Sequence, residues 1–230
     1  MNKSNLVVIA GGTGAIGKAI GEELNKVGFS DIIKIGTKTS PSIDFNNEDT
    51  ILETVEYIKK KNRPISIFFD ATGVLHHNSL MPEKTLKSIE FEFAKKIFLI
   101  NTIGPALLIK YFAPLLDKDE KSVFATLSAK VGSITDNGYG GWYSYRASKA
   151  ALNQMIKTAS IEMKVKNKKA IFVSLHPGTV KSNLSKPFQK VNLKIQDPEE
   201  SAKHLIKIIT SIDPSQTGKF FNWDGSEIAW

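Results

Sequence analysis

Cysteine is absent from the 230 residues. That excludes disulfides and thiolate metal sites, and it suits a reducing compartment. Histidine is scarce, with four residues. None falls into a carboxylate–histidine cluster of metal-binding spacing, so no metal site is expected. His76 and His77 read as loop histidines, with a place on a pocket rim as the other reading. Long apolar runs are missing too. The N-terminal run, Leu6 to Ala10, is too short for a secretory signal. No stretch approaches the ~18 apolar residues of a spanning helix. A cytoplasmic protein with no membrane partner is therefore expected. Repeats, low-complexity tracts and linkers are also lacking, so residues 1–230 read as a single domain.

What is present is globular material, 41% hydrophobic and 23% charged, with a formal net charge of +8. Such a charge raises the question of nucleic acid or an anionic membrane surface. The lysines are dispersed, however. The clusters at 59–61 and 164–169 sit where amphipathic helices end, and cations suit that end of the helix dipole. No nucleic-acid partner is expected.

Short apolar runs alternate with helical periodicity. "NLVVIAG", "DIIKIG", "PISIFFDATG", "SVFATLSA", "AIFVSLHPG" and "GKFFNW" read as strands. Ile16, Ile20 and Leu24 share one helical face, and Gly28 offers a stop. A second helix, "NNEDTILETVEYIKKKN", opens with an Asn cap. A long helix is expected from about Glu83 to Leu116, broken near Gly104–Pro105. Further helices cover "YSYRASKAALNQMIKTASIEMKVKN" and "DPEESAKHLIKIITS". Strands separated by helices imply parallel pairing, and near-continuous apolar strands imply a sheet covered on both faces. The predicted fold is α/β: one doubly wound parallel sheet of Rossmann type with helices on both faces.

"VVIAGGTGAIG" places Gly11, Gly14 and Gly17 where a strand turns into a helix. Such glycines permit a tight turn and close approach of a diphosphate, which then meets the free N–H groups of the helix start. An acid at the end of the second strand would hold the ribose hydroxyls of NAD. Here Thr37 and Lys38 stand in "IKIGTKTS" instead, and an ammonium attracts a 2′-phosphate. NADP(H) is favoured over NAD(H). Lys38 as a plain solvated turn lysine is the other reading.

Tyr145 and Lys149 lie four residues apart, on one helical face. A nearby ammonium favours a phenolate, so the pair can tune a phenol for proton exchange with a carbonyl oxygen. Tyr143 has Ala147 at that spacing and lacks the partner. The serine-bearing strand end "TLSAKVGS" lies just upstream. Trp142 and Tyr139 are candidates for lining a pocket, with plain packing as the other reading. The irregular stretch 182–197 reads as a lid or a disordered loop. Ala147, Ala150 and Ala151 would let another helix approach closely, from within the chain or from a second copy.

Together these motifs resemble the short-chain dehydrogenase/reductase family over nearly the whole chain. "YRASK" is similar to its Tyr-x-x-x-Lys signature and "GGTGAIG" to its cofactor loop, with Ala15 where the second glycine usually stands. "DATG", residues 70–73, resembles the Asn-Asn-Ala-Gly segment, with Asp70 and Thr72 departing from it. Asp44 and Phe45 resemble the Asp-hydrophobe pair beside the adenine, and "HPGTVKS" the Pro-Gly segment over the nicotinamide. More narrowly, "GSITDNGYGGWYSYRASKAALN" and the ending "FNWDGSEIAW" are similar to the C-factor and sniffer-type carbonyl reductase branch.

The resemblance implies an NADP(H)-dependent oxidoreductase acting on a small carbonyl or alcohol, as a homodimer or homotetramer. Tyr145 would be the general acid. Lys149 would hold the nicotinamide ribose and depress the phenol's pKa, and Asn101 would support a proton relay. The cofactor would lie along Gly11, Thr13, Gly14, Ala15, Ile16, Ala71, Thr72 and Gly73, then Pro177, Gly178, Val180 and Ser182. The family's catalytic serine falls at Ala129. Its flanking neighbours Ser128 and Ser133 are the candidates, with Ser128 favoured. A regulator that senses NADP(H) without chemistry is the rival reading that Ala129 raises.

Overall fold

Five apolar residues, Leu6–Ala10, form the first strand, β1, every one of them buried. In the computed structural model, which describes residues 1–76, 80–188 and 195–230, the chain then runs α1 (Ala15–Lys26), β2 (Ile32–Ile35), α2 (Glu48–Lys59) and β3 (Ile65–Asp70). After β3 come α3 (Phe91–Phe98), α4 (Gly104–Phe112), β4 (Ser122–Leu127), α5 (Tyr143–Lys166) and β5 (Ala170–His176). Two short strands, β6 (Thr179–Val180) and β7 (Ile195–Gln196), pair with each other before α6 (Pro198–Ser211) and β8 (Lys219–Asn222). The main sheet has the order β2-β1-β3-β4-β5-β8, parallel throughout. The direction of winding reverses between β1 and β3. At such a switch point a crevice opens beyond the carboxyl ends of the strands.

Two hydrophobic layers cover the sheet. Ile20 and Leu24 of α1 meet Leu205 and Ile209 of α6 over one face. Ile51 of α2, Leu108 and Phe112 of α4, and Leu152 and Ile156 of α5 cover the other. Phe68, Phe124 and Phe172 stand in register on three neighbouring strands. Their rings stack at 4.7 and 5.4 Å between centroids, which ties β3, β4 and β5 together beneath α4 and α5.

Local signals act as their chemistry requires. Asn47 caps α2 by accepting a hydrogen bond from the Asp49 N–H at 3.1 Å. Gly28 takes φ +99° just beyond α1. The lysine clusters at 59–61 and 164–169 fall at the ends of α2 and α5.

The expected helix from Glu83 to Leu116 is corrected in two ways. It begins at Phe91, because Glu83 is drawn into the interior by Ser144. It also runs through Gly104–Pro105 without a break. The disturbance is one turn earlier, a π-helical turn over Leu99–Ile103 in which the Gly104 N–H reaches back to the Leu99 carbonyl. Pro105 has no N–H for the Asn101 carbonyl, and the wider turn accommodates that loss. Contrary to the sequence expectation, the segment Phe91–Leu115 is long and apolar enough to cross a membrane by length and composition. It contributes Phe93, Ile97, Leu108 and Phe112 to the buried interior.

The phenylalanine stack sets a stability test. Phe124→Ala should cost about 3–5 kcal/mol, read as a lower urea midpoint at unchanged m-value.

Candidate active site

The glycine loop closes against the end of β3. Gly11 has φ +70°, and a Cβ there would stand 2.8 Å from the Ala71 carbonyl oxygen. A Cβ on Gly17 would overlap the Gly11 carbonyl. The loop backbone is therefore as tight as a glycine-only sequence allows. Gly14 precedes the first turn of α1, which carries no acidic residue, so the positive helix end is uncompensated within its own turn. In front of it lies a cavity of about 680 Å³ lined by Thr13, Gly14, Ala15, Ile16, Ala71 and Gly73, with Lys181, Ser182 and Lys186 facing them across it. These residues fit a dinucleotide diphosphate: free N–H groups, no carboxylate, two lysines, and a floor where any side chain would intrude.

A second cavity, about 310 Å³, adjoins the first through Ile16, Ser182 and Leu184. Tyr145, Ser128 and Ala129 line it, and Leu75, Trp142 and Phe188 make its apolar walls. Pro177, Gly178 and Val180 form another side. Trp142 meets Tyr145 edge-on at 6.1 Å and Phe188 at 5.0 Å.

Tyr145 is buried, and burial pushes its phenol pKa up. Burial is the one cause of that shift, so the lowering expected from Lys149 does not appear. Lys149 is buried as well, and its ammonium donates to the Leu127 carbonyl at 2.8 Å. Burial takes the Lys149 pKa down to about 8, against the opposing pull of Asp70. Asn101 sits in the π turn. Its Oδ1 accepts from the Val74 N–H at 2.8 Å, and its Nδ2 donates to the Val74 carbonyl and to Ser148 Oγ. A Cβ on Gly73 would lie 3.6 Å from both Asn101 Oδ1 and Lys149 Nζ. Gly73, Asn101 and Lys149 thus form one cluster, four residues along α5 from Tyr145.

The two serine candidates separate. Ser133 Oγ accepts the Asp136 N–H at 3.1 Å, a turn contact away from the cavity lining. Ser128 Oγ is buried beside Tyr145's cavity with no hydrogen-bond partner among the described residues. His176 carries another unpartnered buried atom, Nδ1, and burial lowers its pKa to about 4.

Other expected residues lie elsewhere. Thr37 and Lys38 are exposed after β2 and do not line either cavity. Asp44 Oδ1 accepts from Asn46, which holds the carboxyl below its usual range. The Phe45 ring packs against Gly104 at the start of α4. Thr72 spends its N–H and hydroxyl on Asp70. Tyr139 is corrected: it is almost fully exposed and lines neither cavity, since the turn around it points outward. His76 reaches the Asn183 carbonyl at 3.2 Å, a rim contact. His77 lies outside the described residues, as does part of the stretch 182–197, whose remainder includes β7 and the turn carrying Phe188.

Lys181, Lys186, Phe188 and Glu83 were not foreseen. The only advance signal was the "VKS" that follows the Pro-Gly pair. Glu83 is buried and accepts from the Ser144 N–H at 3.2 Å and from the Ser144 hydroxyl, while its own carbonyl takes the Trp142 N–H at 2.5 Å. It therefore anchors the first turn of α5, one residue from Tyr145. Glu83→Ala should destabilise the protein by about 2 kcal/mol, with faster amide exchange confined to the first turn of α5.

Comparison with known proteins places this geometry. Residues 36–192 match the family model for short chain dehydrogenases. The 1-hydroxy-2-glutathionyl-2-methyl-3-butene dehydrogenase of Rhodococcus sp. (strain AD45) is 30% identical over 87% of this chain and 84% of its own. The C-signal protein of Myxococcus xanthus is 28% identical over 63% of this chain and 83% of its own. Among solved structures, carbonyl reductase Sniffer of D. melanogaster superposes with a TM-score of 0.84 at 23% identity, over 99% of this chain and 100% of that one. An NADPH-bound carbonyl reductase from chicken fatty liver gives a TM-score of 0.86 at 20% identity, over 99% and 94%. With the Tyr-x-x-x-Lys helix under a two-part cavity at the switch point of a parallel sheet, the chain belongs to the short-chain dehydrogenase/reductase family of oxidoreductases.

Proposed function

We propose that this protein interconverts a compact apolar carbonyl compound and its alcohol, using NADP(H). One observation carries the reading. Tyr145 and the unpartnered Ser128 share an apolar cavity that opens directly onto the glycine-loop cavity. A nicotinamide cofactor supplies or accepts the hydride when bound, and the chain's residues do the rest.

The N–H groups at the start of α1, with Lys181 and Lys186, hold the diphosphate. Lys38 meets the 2′-phosphate, with Asp44 and Phe45 toward the adenine. Pro177, Gly178 and Val180 frame the nicotinamide. The phenol of Tyr145 stays protonated through burial, which suits a group that must give a proton to a forming alkoxide. Lys149 stabilises the phenolate left behind. Asn101 stands beside it in the relay, and Ser128 donates to the substrate oxygen. The relatives' names include both a dehydrogenase and carbonyl reductases, so the reaction is written in both directions. Ala147, Ala151 and Met155 run along the outer side of α5, and we place the homodimer or homotetramer contact there.

NADPH oxidation should be measured against aldehydes and ketones of graded size. Tyr145→Phe should cut turnover by about 10³-fold while NADPH still binds, and Ser128→Ala by about tenfold. Turnover that survives Tyr145→Phe would sink the assignment. Ala129 favours a second reading, an NADP(H) sensor without chemistry. Tight NADPH binding with no turnover across the panel selects that one. Lys38→Ala should weaken NADPH about tenfold in a fluorescence titration and leave NADH binding unchanged. Equal losses for both would remove Lys38 from the 2′-phosphate.

A further inference from the structure

The end of β3 carries a carboxylate that the family resemblance does not call for. Residues 70–73 are Asp, Ala, Thr and Gly, so the strand ends on an acid. Asp70 is completely buried. Its Oδ1 accepts from the Thr72 N–H at 2.9 Å and the Thr72 hydroxyl at 2.6 Å. Its Oδ2 accepts from the Thr126 hydroxyl at 2.7 Å. Three donors offset part of the cost of an ionised carboxylate in the interior. Burial still pushes its pKa up. Thr126 directly precedes Leu127, whose carbonyl takes the Lys149 ammonium at 2.8 Å, so carboxylate and ammonium are held by adjacent residues at the end of β4 and each charge favours the other.

The surroundings of Lys149 leave this role to Asp70. The direct hydrogen bond of Nζ goes to a neutral carbonyl, that of Leu127. Tyr145, on the same helix, is an uncharged phenol. Asn101, from the π turn, is neutral and bonded to Val74 and Ser148. Lys130, in the turn after β4, pairs with Asp136 at 3.3 Å. Arg146 donates to the carbonyls of Val131, Gly140 and Gly141. The backbone running on from Asp70 reaches Gly73, beside the ammonium itself.

We propose that Asp70 is a positioning residue for Lys149: the buried counter-charge that keeps its ammonium protonated at neutral pH, held in place by Thr72 and Thr126. The proposal rests on the reading of Lys149 as the partner of Tyr145. An isolated buried lysine can lose up to about 3–5 units of pKa, and at the larger losses it is neutral at pH 7, unable to stabilise a phenolate. Asp70 opposes the burial, which takes the Lys149 pKa down to about 8 and no further, on the side that keeps the ammonium at neutral pH. An asparagine at position 70 can accept hydrogen bonds but supplies no charge.

The test is the Lys149 titration in the cofactor-free protein, followed by NMR of ¹³Cε-labelled lysine and assigned with Lys149→Met. In Asp70→Asn the midpoint should fall by about one unit or more. Thr126→Val, which removes a hydrogen bond but no charge, should leave it in place. An unmoved midpoint in Asp70→Asn overturns the proposal, and so does an equal fall in Thr126→Val. If Asp70→Asn does not fold, the reciprocal is read from Lys149→Met. There the ¹³Cγ titration of Asp70 should move up by a similar amount, and an unmoved one overturns the proposal. In active enzyme the high-pH limb of kcat/KM should shift down with Lys149 in Asp70→Asn. A moved Lys149 in a protein that turns over nothing would sink the reductase reading and leave the charge coupling standing.

Discussion

Two backbones meet at the ends of β1 and β3, Gly11 against Ala71, and the site depends on that contact. A side chain at Gly11 would strike the Ala71 carbonyl. Because the strands approach so closely, α1 can start directly above the crevice, and the segment from Asp70 to Gly73 can run on to Lys149. The glycine loop and the segment that leads to Lys149 thus hang from one junction. The sheet order supplies it: β1 sends the chain outward to β2, and β3 returns on the other side.

Much of this was legible because the signals are local. Gly11, Gly14 and Gly17 announce a tight strand-to-helix turn, Asn47 a cap, and Gly28 a stop, each by rules that need only a few neighbours. The alternation of apolar runs and helical periods gave all six strands of the main sheet. The Tyr145–Lys149 spacing on a helix is likewise local.

What was not legible depends on distant partners. Glu83 looks like a helical acid until Ser144, 61 residues away, claims it. Pro105 looks like a helix breaker, but neighbouring turns widen around it and the helix continues. Lys149 was expected to lower the pKa of Tyr145. Folding buries both groups; desolvation alone raises Tyr145, and the charge that acts on Lys149 is that of Asp70. β6 and β7 have two residues each, too few to carry any period. Lys181 and Lys186 face the glycine loop only because the chain folds back across the crevice.

The wall shared by the two cavities couples their shapes. Ile16, Ser182 and Leu184 border both spaces. The two spaces are therefore not independent: whatever displaces these three side chains in one of them reshapes the other.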